Sequence, residues 1–143
     1  MNYWDKRVEI FGPEKAFQPL TQKEACSEDS VAFSFGVVRA MLKVENGKAV
    51  FVTDSSGRSI IFGDPSRQDK TKYTTMSMAR VVWYVFHAIM ENEETQKKGV
   101  VFVMYPHKAK ISQFNRELTK HITSSVKGCL PGTCFGGGRS CLL

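Results

Sequence analysis

The sequence predicts an α/β fold, an incomplete mixed sheet of about three strands backed by helices, with a flexible Gly-rich tail at the C-terminus. Three observations carry it. Met78, Val82, Val85, Phe86 and Ile89 recur at helical spacing, and Ala79, Trp83, Tyr84, His87 and Met90 widen that stripe until little of it is suited to water. Gly99 offers the left-handed stop that helix ends favour, and Val100 to Tyr105 follows with no polar alternation, as in a strand covered on both faces. Upstream, Ser59 to Phe62 can lie parallel to that strand through a right-handed crossover.

The other elements follow in order. Tyr3 to Phe11 can form a short helix burying Trp4, Val8 and Phe11, stopped by Gly12-Pro13. Glu14 to Ser27 is irregular. Val31 to Leu42 carries two patterns: Asp29 or Ser30 could cap a helix there, yet Val31, Phe33, Phe35 and Val37 alternate as in a strand. The reading adopted is helix. Lys43 to Gly47 reads as a turn. AVFVT and RSIIFG, joined by DSSG, read as a hairpin closed by Asp64-Pro65. A polar loop leads to Thr74 or Thr75 as the cap of the long helix, whose far end pairs Glu93 and Glu94 with Lys97 and Lys98 four residues on. Pro106 ends the apolar strand. Ser112 can cap a last helix in which Phe114, Leu118, Ile122 and Val126 recur every four residues up to Gly128.

Length and composition set limits. The 143 residues suit one domain, with 42% hydrophobic residues. A net charge of +6, from 20 Lys and Arg against 14 Asp and Glu, is mildly basic, and the charges are scattered. Glu91 interrupts the longest apolar run before it reaches membrane-spanning length. MNYWDKRVEI has no apolar signal core, so the expected location is cytoplasmic, with the four Cys as thiols.

No catalytic constellation emerges. Cys129, Cys134 and Cys141 with His121 lack the close pair of a zinc site. FGGGRS does not open a helix as a phosphate loop must, and no Ser or Cys sits in a strand-to-helix elbow. Neither a metal, a cofactor nor an enzymatic activity is expected.

The ordered motifs resemble the CRAL-TRIO lipid-binding domain family. Tyr3-Trp4, Arg7 and FGPEKAFQPLT open the match; Asp54 with Gly57-Arg58 is similar to the family's D-x-x-G-R-P hairpin, with Ser59 where Pro is usual. Arg80, Trp83-Tyr84, EETQKKG and the CLP at Cys129 to Pro131 continue it, so the likeness spans about Tyr3 to Pro131 and implies a partial domain over residues 1–131, with 132–143 as tail. The resemblance implies helices on one side of a mixed sheet whose other side floors an apolar cavity under a movable gate helix. The family's later strands and gate helix have no counterpart, so the expectation is a domain truncated after its first half. Lining residues implied for the matching helix and strand are Trp83, Tyr84, His87, Phe102, Met104 and Tyr105.

Two functions follow as expectations. One is non-enzymatic binding, or transfer between membranes, of a lipid or other small hydrophobic molecule, with Lys70 and Lys72 touching anionic membrane and no nucleic-acid partner. The other is a pocket-less fragment, inert or serving as a protein-interaction module through an open sheet edge. Arg58 is expected to support its turn rather than bind phosphate.

Overall fold

A computed structural model describes residues 3–23 and 30–126. In chain order its elements are α1 (Tyr3–Phe11), α2 (Ser30–Ser34), β1 (Val38–Ala40), β2 (Leu42–Glu45), β3 (Lys48–Phe51), β4 (Ser59–Gly63), α3 (Thr75–Met90), α4 (Glu93–Lys98), β5 (Val100–Met104) and α5 (Arg116–Val126). Asp29, Gly128, Pro131, the three C-terminal Cys and the 132–143 tail, all used above, lie outside the described residues.

Helix α3 forms where the periodicity places it. Its cap is Thr74, whose side-chain oxygen accepts the Ser77 N–H at 3.1 Å. It is apolar nearly all round because it is enclosed: α1, α2, α4, α5 and β1 all pack on it. The helix stops at Met90 rather than running to Lys98. Asn92 leaves the helical conformation and its side chain accepts the Thr95 N–H at 3.0 Å, starting α4 as a separate helix. Glu93 and Glu94 therefore sit in a first turn and Lys97 and Lys98 in a last, each complementing the helix dipole. Gly99, at φ 94°, ends α4 and releases the chain into β5.

The main sheet has the order β1-β4-β5, with β1 antiparallel to β4 and β4 parallel to β5. Val38 lies opposite Gly63 and Ile61 opposite Phe102. This is a mixed three-stranded sheet backed by helices, as the sequence predicts. Among the described residues strand β5 has one neighbour, β4, and all its residues are half-buried rather than enclosed on both faces.

Five local expectations are corrected. Helix α2 ends at Ser34 because Gly36 takes φ 61°, and Val38–Ala40 is strand. Lys43 to Glu45 belongs to β2, not to a turn; only Asn46 and Gly47, at φ 51° and 75°, turn the chain, which suits the tight turn of a two-residue hairpin. That turn pairs β3 with β2, Leu42 opposite Phe51, so the AVFVT strand folds mainly on residues before it. Of the expected hairpin there remain a bridge between Thr53 and Ser59, the Ile60 N–H to Val52 carbonyl bond at 3.0 Å, and the turn closed by the Asp54 N–H to Arg58 carbonyl bond at 3.0 Å. Helix α5 is capped by Asn115, which accepts the Leu118 N–H at 3.1 Å, while Ser112 lies in a 3-10 turn. In α1, finally, Trp4 is exposed and stacks on Phe17, Val8 is half-buried, and Lys6 and Arg7 are buried beside Ile10 and Phe11. The sheltered guanidinium of Arg7 donates to the Gln18 carbonyl at 2.7 Å and to the Tyr3 hydroxyl at 3.2 Å, tying the irregular segment to the helix.

Candidate apolar binding face

Alternation in β4 divides the sheet into two unlike faces. Ser59, Ile61 and Gly63 are buried toward α3, and Ile60 and Phe62 point the other way and are half-buried. Residues paired across strands share a face, so Val38 and Ala40, with Val100, Phe102 and Met104, join the helix side. Arg39, Val101 and Val103 join Ile60 and Phe62 on the other. Tyr105 continues that row, its ring 6.0 Å from that of Phe62.

Helix-side chemistry is complete in itself. Ser59 Oγ lies 2.7 Å from Thr95 Oγ1, a buried hydroxyl pair that fastens α4 beneath the sheet. Gly63 has no side chain because the space is taken: a Cβ there would meet Phe102 Cζ at 2.9 Å and Met104 Sδ at 3.1 Å. Phe102 in turn packs on Phe86, ring centroids 5.9 Å apart. Strand β4 is apolar on both faces: Ile61 is fully buried toward the helices between Ser59 and Gly63, and Ile60 and Phe62 on the other face are half-buried.

The six residues expected to line a pocket are not brought together. Trp83 is 2% exposed and lies between α1 and α3, 5.4 Å from the Tyr3 ring and 6.3 Å from that of Phe11. Tyr84 is half-buried against Phe33 at 6.1 Å. His87 is half-buried on α3, and Phe102 and Met104 face the helices. Tyr105 alone stands on the open face. Val100 to Tyr105 has no alternation of its own, so only its register with β4 sorts Val101 and Val103 onto the face of Ile60 and Phe62.

His87 sits with Glu91 Oε1 3.8 Å from its Nε2. Burial lowers its pKa below the ordinary 6.5 and Arg7 pushes the same way, against the opposing pull of Glu91. A histidine depressed in the folded state is protonated more readily when unfolded, so stability is intact above pH 6.5 and falls on acidification below it. Thermal melts between pH 7.5 and 5.5 should show this decline, and His87→Gln should flatten it.

Arg58 supports its turn. Its backbone N–H and its Nε donate to Asp54 at 2.9 and 2.8 Å. Lys70 Nζ donates to the Phe114 carbonyl at 2.9 Å, while Lys72 is exposed. His121 Nδ1 lies 3.4 Å from Glu9 Oε1. An open hollow of about 560 Å³ beside α5 is lined by Arg116, Thr119, Lys120, Thr123 and Ser124, without an aromatic side chain. Among the described residues no helix is long and apolar enough to cross a membrane, and no group of His, Cys, Asp or Glu is placed to hold a metal ion.

The family model for the CRAL/TRIO domain matches residues 45–135, more than half of the chain. The match begins at the end of β2 and takes in β4, the central helix and β5. No curated protein matches.

Proposed function

Because the chain belongs to the CRAL/TRIO domain family, whose members bind lipophilic molecules in general, we propose that it holds a lipid or similar small hydrophobic molecule against the sheet face formed by Ile60, Phe62, Val101, Val103 and Tyr105. The observation that supports this reading is that Ile60 and Phe62, the residues of β4 on the face away from the helices, are both large and apolar and remain half-buried. In this reading the protein is a carrier and not an enzyme, works in the cytoplasm, and meets anionic membrane through exposed cations such as Lys72.

Magnitudes limit what this face does alone. Full burial of a Val, Ile or Phe side chain is worth about 1.5–3 kcal/mol, and side chains already half-buried have about half of that left to gain. Over five residues the gross gain is roughly 4–7 kcal/mol, below the ~8.2 kcal/mol of a micromolar complex. A tightly held ligand therefore needs a second wall opposite the sheet.

A second reading rests on the β5 edge. With Ser59 N–H bonded to the Gly99 carbonyl and Tyr105 N–H to that of Gly63, parallel pairing turns the backbone groups of Val100, Phe102 and Met104 away from β4. Such a row accepts an added strand from a protein partner. Native mass spectrometry of the purified chain separates the two. The carrier reading expects a co-purifying lipid, or uptake of an added fluorescent one; a chain that takes up none fails it.

A further inference from the structure

Strands β1 and β2 form one extended edge. Met41 joins them: its N–H donates to the Ile60 carbonyl at 3.0 Å, and its carbonyl accepts from the Val52 N–H at 2.9 Å. The Val37 carbonyl likewise accepts from the Asp64 N–H at 2.7 Å. Antiparallel ladders alternate, so residues 37, 39, 41, 43 and 45 bond inward to β4 and β3. Val38, Ala40, Leu42 and Val44 then turn their N–H and C=O groups to the other side, where among the described residues no strand pairs.

This edge is apolar where it runs out into the hairpin. Leu42 is 57% exposed and Val44 76%, and both share the face of Ala49 and Phe51. A two-stranded hairpin is barely stable in water without a further layer or strand. Lysine on an edge usually discourages a further strand, but Lys43 is bonded to Glu45 of its own strand. Arg39, over the Phe62 ring, has no carboxylate partner among the described residues.

Charge selects one self-complementary register. Two antiparallel copies centred on Met41 would set Arg39 against Lys43, and centred on Lys43 would set that lysine against itself. Centring on Leu42 instead sets Arg39 opposite Glu45 of the second copy, at both ends of the pairing. We propose that two copies of the chain associate through residues 38–45, antiparallel about a two-fold axis at Leu42. Leu42 then meets its counterpart and Val44 meets Ala40 of the second copy, so the exposed apolar residues cover one another. The two open faces of Ile60, Phe62, Val101 and Val103 come to lie on the same side of one continuous sheet. This inference does not depend on the carrier reading.

Sedimentation velocity of the full chain, from micromolar to submillimolar concentration, tests it. The wild type should sediment as a dimer at the upper end. Leu42→Pro removes an outward N–H and no bond to β3, so it should associate at least about tenfold more weakly while its circular-dichroism melt stays close to that of the wild type. Arg39→Glu and Glu45→Arg should each be monomeric alone, because each sets like charges opposite one another. An equimolar mixture of those two should dimerise, because both opposite-charge pairs are then restored. A wild type that stays monomeric throughout overturns the proposal. A dimer that persists in folded Leu42→Pro, or a charge-variant mixture that fails to associate, overturns this interface. Should Leu42→Pro fail to fold, the mixture decides.

Discussion

Replacing Trp83 with alanine is expected to cost the fold about 3–5 kcal/mol, a large share of its stability. Trp83 fills the space between α1 and the central helix, touching Tyr3 and Phe11, and is 2% exposed. Truncating a buried aromatic typically costs about 3–5 kcal/mol, lost transfer energy and an unfilled cavity together. Small domains hold roughly 5–15 kcal/mol in total, so such a loss removes a large share of it. Trp4 supplies the control. It is 47% exposed, and its ring stacks on Phe17, meets Tyr3 edge-on and carries the Arg7 guanidinium, so Trp4→Ala should cost about 1–2 kcal/mol. Urea unfolding followed by far-UV circular dichroism measures both. Equal midpoints for the two variants would contradict the core described here.

The second large effect concerns binding. The Val101→Glu/Val103→Glu double variant places two carboxylates on the open face of an edge strand, where natural sheets tolerate charge. The fold should survive with a loss of about 1–2 kcal/mol, whereas uptake of a fluorescent lipid should fall by at least about tenfold, because an ionised group cannot lie against an acyl chain without a partner. A matched pair on the other face reverses the pattern. Val81→Glu/Val85→Glu puts charge into the enclosed side of α3, and there the fold itself should fail.

Legibility followed the source of each element's stability. The central helix was plain in the sequence because its apolar residues recur with the helical period and Thr74 precedes them. The parallel pairing of Ser59–Phe62 with the apolar strand was also open to inference, since a helix between two strands dictates a crossover. What lay hidden depended on competition between neighbours. Phe33 and Phe35 alternate like a strand but fall before and after the end of α2; the hairpin went to Asn46-Gly47 because two consecutive left-handed residues make the tighter turn. At the site, the hidden quantity was register. Helix α3 offered Trp83, Tyr84 and His87 as candidates by composition, but an enclosed helix is aromatic for packing. The residues that the proposed function sets against an apolar ligand are ordinary Ile, Phe and Val, distinguished only by which side of β4 and β5 they occupy.

The most direct measurement is the methyl spectrum of the isotope-labelled protein as a lipid is added. The account predicts that Ile60, Val101 and Val103 move together and saturate at one ligand per chain, while Val81, Val85 and Ile89 on the enclosed helix stay in place. Shifts confined to the helix methyls, with the three sheet residues unmoved, would contradict it.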